Sequence, residues 1–282
     1  MGIQFKDVSF AYKGLKVNYD AIQNIDLSIE AKNEFIAIVG QTGSGKSTLV
    51  QHMNALLLPS SGNVVVFGQN LPPKKKEKIN YLRQKVGLVF QFPEYQLFEE
   101  TIIKDIMFGP KNFKSSDEQA LEMAKKAATI VGIDESLYEQ SPFRISGGQM
   151  RRVAVAGILA MEPEILVLDE PTRGLDPKGR RDLMHIFNEL HEVNEKTIIL
   201  ITHDMDLVSE YAKRVIVLKE GHIVFDGRKE DLFEHPDFSS FHLELPTSLK
   251  ILKHLQKTVG IKYQPKYDFQ SLLMYLKEVS HE

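Results

Sequence analysis

A glycine-rich octapeptide, Gly40-Gln41-Thr42-Gly43-Ser44-Gly45-Lys46-Ser47, holds much of the chemistry legible in this chain. It follows a short apolar run rich in branched residues, Glu34–Val39, and residues from Lys46 to about Leu57 read as a helix. A strand, a glycine loop and a helix in that order identify a phosphate-binding loop. Glycines let backbone N–H groups turn inward around phosphate oxygens, and the helix start adds partial positive charge. Lys46 then sets an ammonium on the β- and γ-phosphates of a nucleoside triphosphate, and Ser47 offers a hydroxyl to Mg2+.

A second apolar run, Ile165-Leu166-Val167-Leu168, ends in Asp169-Glu170. At the carboxyl end of a buried strand such acids point toward the crevice where open α/β sheets bind ligands. Asp169 is placed to hold Mg2+ through its waters, and Glu170 to polarise the water that attacks the γ-phosphate; the plain alternative for Glu170 is a surface acid. His203 stands just past the strand Ile198–Ile201, after Thr202. An imidazole there can contact the γ-phosphate and orient Glu170 or the water. Gln91 ends the strand Val86–Phe90, where an amide reaches Mg2+ or the water in a closed site, although glutamines also end strands without such a role. Tyr12, past the first strand, reads equally as an adenine-stacking ring and as an edge-strand aromatic. Between the two phosphate-site motifs lies Ser146-Gly147-Gly148-Gln149-Met150. A Ser-Gly-Gly-Gln opening a helix is a second phosphate-binding helix start in one chain, and suggests a nucleotide held between two such chains.

The elements that must position these residues follow from periodicity. Ile3, Phe5, Val8 and Phe10, then Ile22, Ile25, Leu27 and Ile29, punctuate polar neighbours as antiparallel strands do. Val64–Phe67 and Val86–Phe90 read as further strands. Residues 101–131 are more helical, with a helix start at Ser116-Asp117-Glu118. A helix should follow Ser146, another should span about Lys178–His191, and Thr197–Ile201 reads as a strand. This alternation predicts an α/β domain with a central, mostly parallel sheet. Beyond His235-Pro236 two short amphipathic helices are expected: Ile251, Leu252, Leu255 and Val259, stopped by Gly260, and Phe269, Leu272, Leu273 and Leu276, with Asp268 as N-cap. Two such stripes need an apolar partner, either another chain or their own domain. Lys74-Lys75-Lys76 reads as a solvated turn.

Composition sets outer limits. The 282 residues suffice for one or two domains, with ordinary hydrophobic (43%) and charged (26%) fractions. A net charge of -3 gives no whole-chain attraction to nucleic acid or anionic lipid. No apolar run approaches a membrane span, and the N-terminus lacks a secretory layout. With 0 cysteines there are no disulfides or thiolate metal sites, which fits the cytoplasm.

Together these motifs resemble the ATPase subunit of ATP-binding cassette (ABC) transporters, from about Ile3 to Leu232. The resemblance implies a P-loop NTPase of the ABC ATPase fold: an α/β core with an antiparallel β subdomain, a helical subdomain at about 92–160, and a C-terminal helical extension. It places the nucleotide-binding domain at 1–234 and a dimerisation extension at 235–282. It makes Tyr12 the A-loop aromatic and Gly40–Ser47, followed by Thr48, the Walker A loop. Gln91 becomes the Q-loop, Ser146–Gln149 the signature, Ile165–Asp169 the Walker B strand with catalytic Glu170, Gly174-Leu175-Asp176 the D-loop, and His203 the switch. In that family two subunits pack head to tail, so Ser146, Gly147, Gly148 and Gln149 act on the partner's ATP. ATP is preferred over GTP, because an adenine-stacking aromatic fits and no guanine-reading motif is evident.

Val89–Phe98, Gln149–Ala154 and Pro171–Arg180 are similar, more narrowly, to the second ATPase of energy-coupling factor (ECF) transporters. That likeness implies a pair of similar ATPases, a transmembrane coupling protein (the T component), a substrate-binding membrane protein (the S component), and import of vitamins or transition-metal ions. It puts the chain on the cytoplasmic face of a prokaryotic cell membrane as a peripheral subunit, without nucleic acid. It also implies that Phe92–Glu100, an aromatic floor with Glu94, Glu99 and Glu100 at its rim, receives an arginine-bearing helix of the coupling protein. Rival readings are the ATPase of a conventional ABC transporter and a soluble ABC protein acting on ribosomes or DNA. Two residues depart from the family pattern: Ile145 stands for Leu, and Asn33 for a glycine, which should still permit a left-handed turn.

Overall fold

The computed structural model describes residues 2–12, 19–72 and 79–280, so Lys74–Lys76 lies outside the described residues. The chain opens with β1 (Ile3–Tyr12), β2 (Tyr19–Ile29), β3 (Phe35–Val39), α1 (Lys46–Met53), β4 (Ser61–Val66), β5 (Gln69–Leu71), α2 (Tyr81–Lys85) and β6 (Val86–Val89). A helical stretch follows: α3 (Ile102–Asn112), α4 (Asp117–Ile130) and α5 (Gly147–Leu159). Then come β7 (Ile165–Asp169), α6 (Pro177–Glu192), β8 (Thr197–Ile201), α7 (Met205–Tyr211), β9 (Arg214–Lys219) and β10 (His222–Arg228). The last helices are α8 (Lys229–Phe233), α9 (Thr247–Val259) and α10 (Phe269–Ser280).

Six strands form the central sheet in the order β10-β9-β3-β8-β7-β6. All its pairings are parallel except that of the edge strand β10. Every residue of β3, β6 and β8 is buried, which is why they read as unbroken apolar runs. Parallel pairing brings the carboxyl ends of these strands to one edge. The phosphate loop after β3, His203 after β8, Glu170 after β7 and Gln91 after β6 therefore leave from consecutive neighbours in the sheet.

Each face of this sheet has its own packing. On one, Ile36, Ile38, Val167 and Ile199 meet α1 and the antiparallel sheet β2-β1-β4-β5 through Phe5, Ile22, Ile25 and Leu49. On the other, Leu166, Leu168 and Ile198 share a core with Ile102, Ile106, Val153 and Phe187, so the helical stretch is continuous with the sheet's own core. At β9, next to the edge, Val215 and Val217 pack with Met205, Val208, Phe233, and with Leu249, Leu252, Leu272 and Tyr275 of the two C-terminal helices. Both tail helices thus lay one edge of their stripes on their own domain. Val259, Phe269, Leu273 and Met274 remain exposed.

Local signals hold at several element ends. Ser116 forms a capping box with Gln119, Asp268 accepts from the Ser271 backbone N–H at 2.7 Å, and Gly260 stops α9 in a left-handed conformation. Asn33 takes the left-handed turn expected of it, with φ of 61°. The helix after the phosphate loop ends at Met53, short of Leu57, where Ala55 turns left-handed. The β9–β10 hairpin is an addition to the expected elements, although the run Val215–Leu218, the turn Glu220-Gly221 and the alternation of Ile223 and Phe225 are its signals.

Candidate functional site

The phosphate loop is held in place by what surrounds it. Gly45 caps α1 with φ of 101°, and a Cβ there would stand 2.3 Å from the Ala21 carbonyl oxygen. Only glycine fits that position. Lys46 Nζ donates to the Gly40 and Gln41 carbonyl oxygens, both at 2.8 Å, so the loop's own backbone holds the cation in position. Burial pushes the Lys46 ammonium below its ordinary value, opposed by the charges of Glu170 and Asp169.

Those two acids sit across from it. Ser47 Oγ donates to Asp169 Oδ2 at 3.0 Å. Burial raises the Asp169 carboxyl above its usual range, and the Ser47 hydrogen bond only partly offsets this. Glu170 adopts a left-handed backbone, φ 49°, a conformation costing a non-glycine residue roughly 1–3 kcal/mol. Its N–H donates to the Ile201 carbonyl at 3.0 Å, pinning it beside β8. Its Oε1 lies 2.8 Å from His203 Nδ1, while the rest of the imidazole is open to the cleft at 74% side-chain exposure. Gln41, Lys46, Ser47, Gln91, Asp169, Glu170 and His203 line one cleft of about 1430 Å³. Tyr12 stands at its side. The Tyr12 hydroxyl lies 3.3 Å from Thr48 Oγ1 and Phe10 packs edge-on at 4.9 Å. The aromatic that lines the cleft is Tyr19, whose hydroxyl donates to the Gly43 carbonyl at 2.9 Å.

The Ser-Gly-Gly-Gln segment is elsewhere. Ser146 caps α5, its hydroxyl accepting from Gln149 N–H at 3.3 Å while Gln149 Oε1 accepts from Ser146 N–H at 3.0 Å. It borders a separate hollow of about 280 Å³ with Leu175 and Asp176. A Cβ on Gly147 or Gly148 would meet nothing within 4 Å. Glycine costs a helix up to about 1 kcal/mol relative to alanine, and among the described residues no close neighbour calls for the pair.

Three features lie beyond the sequence reading. Glu94 is not a rim acid: its carboxylate is turned inward and accepts from Arg151 Nη2 at 2.8 Å and Nε at 3.1 Å. The expected acidic rim therefore reduces to Glu99 and Glu100, beside exposed Phe92, Tyr95 and Phe98, because a guanidinium buried in α5 claims Glu94. The tail reaches the cleft of the phosphate loop, where Leu243, Leu245 and Lys250 form part of the wall. Thr247 fastens it, its N–H and hydroxyl donating to Asp206 at 2.6 and 2.8 Å. These contacts join segments too far apart in sequence for any local pattern to show them.

Residues 22–173 match the ABC transporter family. The energy-coupling factor transporter ATP-binding protein EcfA2 of Enterococcus faecalis is 50% identical over 258 residues, 90% of this chain and 89% of that protein. Its namesake in Bacillus cereus is 46% identical across 100% of this chain and 95% of its own. Among solved structures, cbiO1 of Clostridium perfringens, part of the ABC transporter complex cbiONQ, superposes with a TM-score of 0.73 at 32% identity, covering 92% of this chain and 95% of that one. The ATP-binding cassette MJ0796, a dimer in a post-hydrolysis state bound to ADP and Pi, superposes with a TM-score of 0.71 at 30% identity, covering 80% and 98%.

Proposed function

This chain belongs to the ABC transporter family, among the ATP-binding subunits of energy-coupling factor transporters, and we propose that it hydrolyses ATP in sites shared with a second, similar ATPase. Gly147 and Gly148 carry this reading. They open a capped helix into empty space, away from the cleft that holds Lys46 and Glu170. A helix start with bare glycines suits the γ-phosphate of a nucleotide seated on the partner.

The division of labour follows from the contacts. Lys46 and the loop N–H groups hold the phosphates, and Tyr12, braced by Thr48, stacks on adenine. Glu170 takes a proton from the attacking water, and His203 fixes the carboxylate that does so. Ser47 and Asp169 are hard oxygen donors 3.0 Å apart, and a cation would relieve the burial that raises Asp169, so the pair fits Mg2+. Bound there, the ion supplies charge neutralisation at the phosphate oxygens. Gln91 lines the same cleft and leads directly into the exposed aromatic loop. Closure of the pair completes each site and opening resets it.

Among the described residues no helix is long and apolar enough to cross a membrane. The family likeness assigns the membrane path to partners: the T component and the solute-binding S component, importing vitamins or transition-metal ions, with this subunit at the cytoplasmic face. We place the T component's arginine-bearing helix on Phe92, Tyr95 and Phe98, with Glu99 and Glu100 as its counter-charges. Reversing both acids to lysine is expected to weaken assembly of the membrane complex by about tenfold or to uncouple transport. ATP affinity of the isolated subunit should stay within about twofold. Normal assembly and transport by the reversed variant would make those acids surface charge only.

The exposed edge of α10 serves as the contact between the two ATPases at 235–282. Replacing Phe269, Leu273 and Met274 together with serine should weaken nucleotide-free association by about tenfold or more, read by light scattering, with the domain still folded. Unchanged association would confine the tail to packing on its own domain.

A further inference from the structure

Arg151 joins three parts of the protein: the aromatic loop, α5 and the segment after Glu170. It lies in α5, five residues past the capping Ser146, and its side chain is 5% exposed. Nε and Nη2 grip Glu94 of the aromatic loop in a two-pronged, charge-assisted pair at 3.1 and 2.8 Å. Nη1 turns the other way and donates to the carbonyl oxygens of Arg173 at 2.6 Å and Pro171 at 3.3 Å. Those carbonyls belong to the backbone immediately after Glu170, leading into Gly174-Leu175-Asp176. A second link runs parallel: the Arg173 guanidinium sits 5.9 Å from the Phe92 ring centroid, and Phe92 is on the exposed docking face.

Arginine is specifically suited to this place. Its rigid fork serves a carboxylate on one side and carbonyls on the other, whereas the single nitrogen of lysine cannot reach both. We propose that Arg151 is a positioning residue that locks the docking loop, the signature helix and the segment after Glu170 into one unit, so that displacement at the membrane-facing loop shifts the catalytic backbone. The proposal rests on the functional reading above, since it needs that loop to be the docking surface.

The test combines hydrogen–deuterium exchange on the full chain with hydrolysis kinetics of the assembled ATPase pair. Glu94→Gln lies in the docking loop, yet exchange in residues 171–176 should rise by about tenfold while α1 and β3 stay protected. Turnover should fall by about tenfold with KM within about twofold, because the site is misplaced rather than emptied. Glu94→Asp, which keeps the charge, should recover most of the turnover, and Arg151→Lys should behave like Glu94→Gln. Wild-type exchange in 171–176 and wild-type turnover in both Glu94→Gln and Arg151→Lys would overturn the proposal. So would exchange that rises throughout the chain with turnover per folded enzyme unchanged, the result of a merely structural pair. Should the wild-type pair hydrolyse no ATP, the functional reading fails, and exchange, which needs no turnover, still decides whether the segments are locked together.

Discussion

Glu170→Gln leaves ATP bound and lowers hydrolysis at this chain's own site by about a thousandfold, roughly 4 kcal/mol of barrier. The amide has the shape of the carboxylate and cannot take a proton from water. It keeps an oxygen for His203 Nδ1, which now sits 2.8 Å from Glu170 Oε1, so the local geometry should survive. The left-handed backbone at Glu170 is also retained, since the substitution leaves the turn and its hydrogen bond to Ile201 intact. With cleavage blocked, ATP holds the pair closed. The rate is to be read as phosphate release from the reconstituted pair, with the partner's own catalytic glutamate already replaced. Turnover near wild type would remove Glu170 from its role.

Lys46→Ala acts earlier and weakens nucleotide binding itself. The ammonium bonds two loop carbonyls at 2.8 Å, and burial already disfavours its charge. A triphosphate offers that cation a far better partner than carbonyls do. Truncating one side of a buried, hydrogen-bonded charge pair costs about 2–4 kcal/mol, roughly 30- to 1000-fold in Kd. Titration calorimetry with ATP and the isolated chain measures this directly. An affinity equal to wild type would mean that the phosphates are held by the backbone alone.

The groups proposed for catalysis are legible in the sequence because each is announced by local backbone chemistry. A buried strand followed by glycine, an acid pair at a strand end and a histidine after a strand are all readable within a few residues. Parallel pairing does the rest by bringing those ends together. What stays hidden depends on contacts between distant segments. Glu94 looks like a solvated acid in an aromatic loop until Arg151, from a helix far along the chain, claims it. The periodicity of the tail helices shows which face is apolar but not what covers it. Leu252 and Leu272 meet Val208 and Phe233 of their own domain, whereas Phe269 and Met274 stay open. Tyr19 escapes notice because it opens β2, ahead of the apolar alternation that marks that strand, and its tie to Gly43 crosses between elements. Gly147 and Gly148 are the converse case. Their sequence is conspicuous, and no close neighbour among the described residues calls for glycine there.

Native mass spectrometry of the intact membrane complex from the protein's own cell tests the central claim most directly. The expected result is one particle containing this chain, a second similar ATPase, a transmembrane coupling protein and a solute-binding membrane protein, which gains two ATP molecules when both catalytic glutamates are replaced by glutamine. This chain recovered alone, or with ribosomes, and binding ATP without any partner ATPase would contradict it.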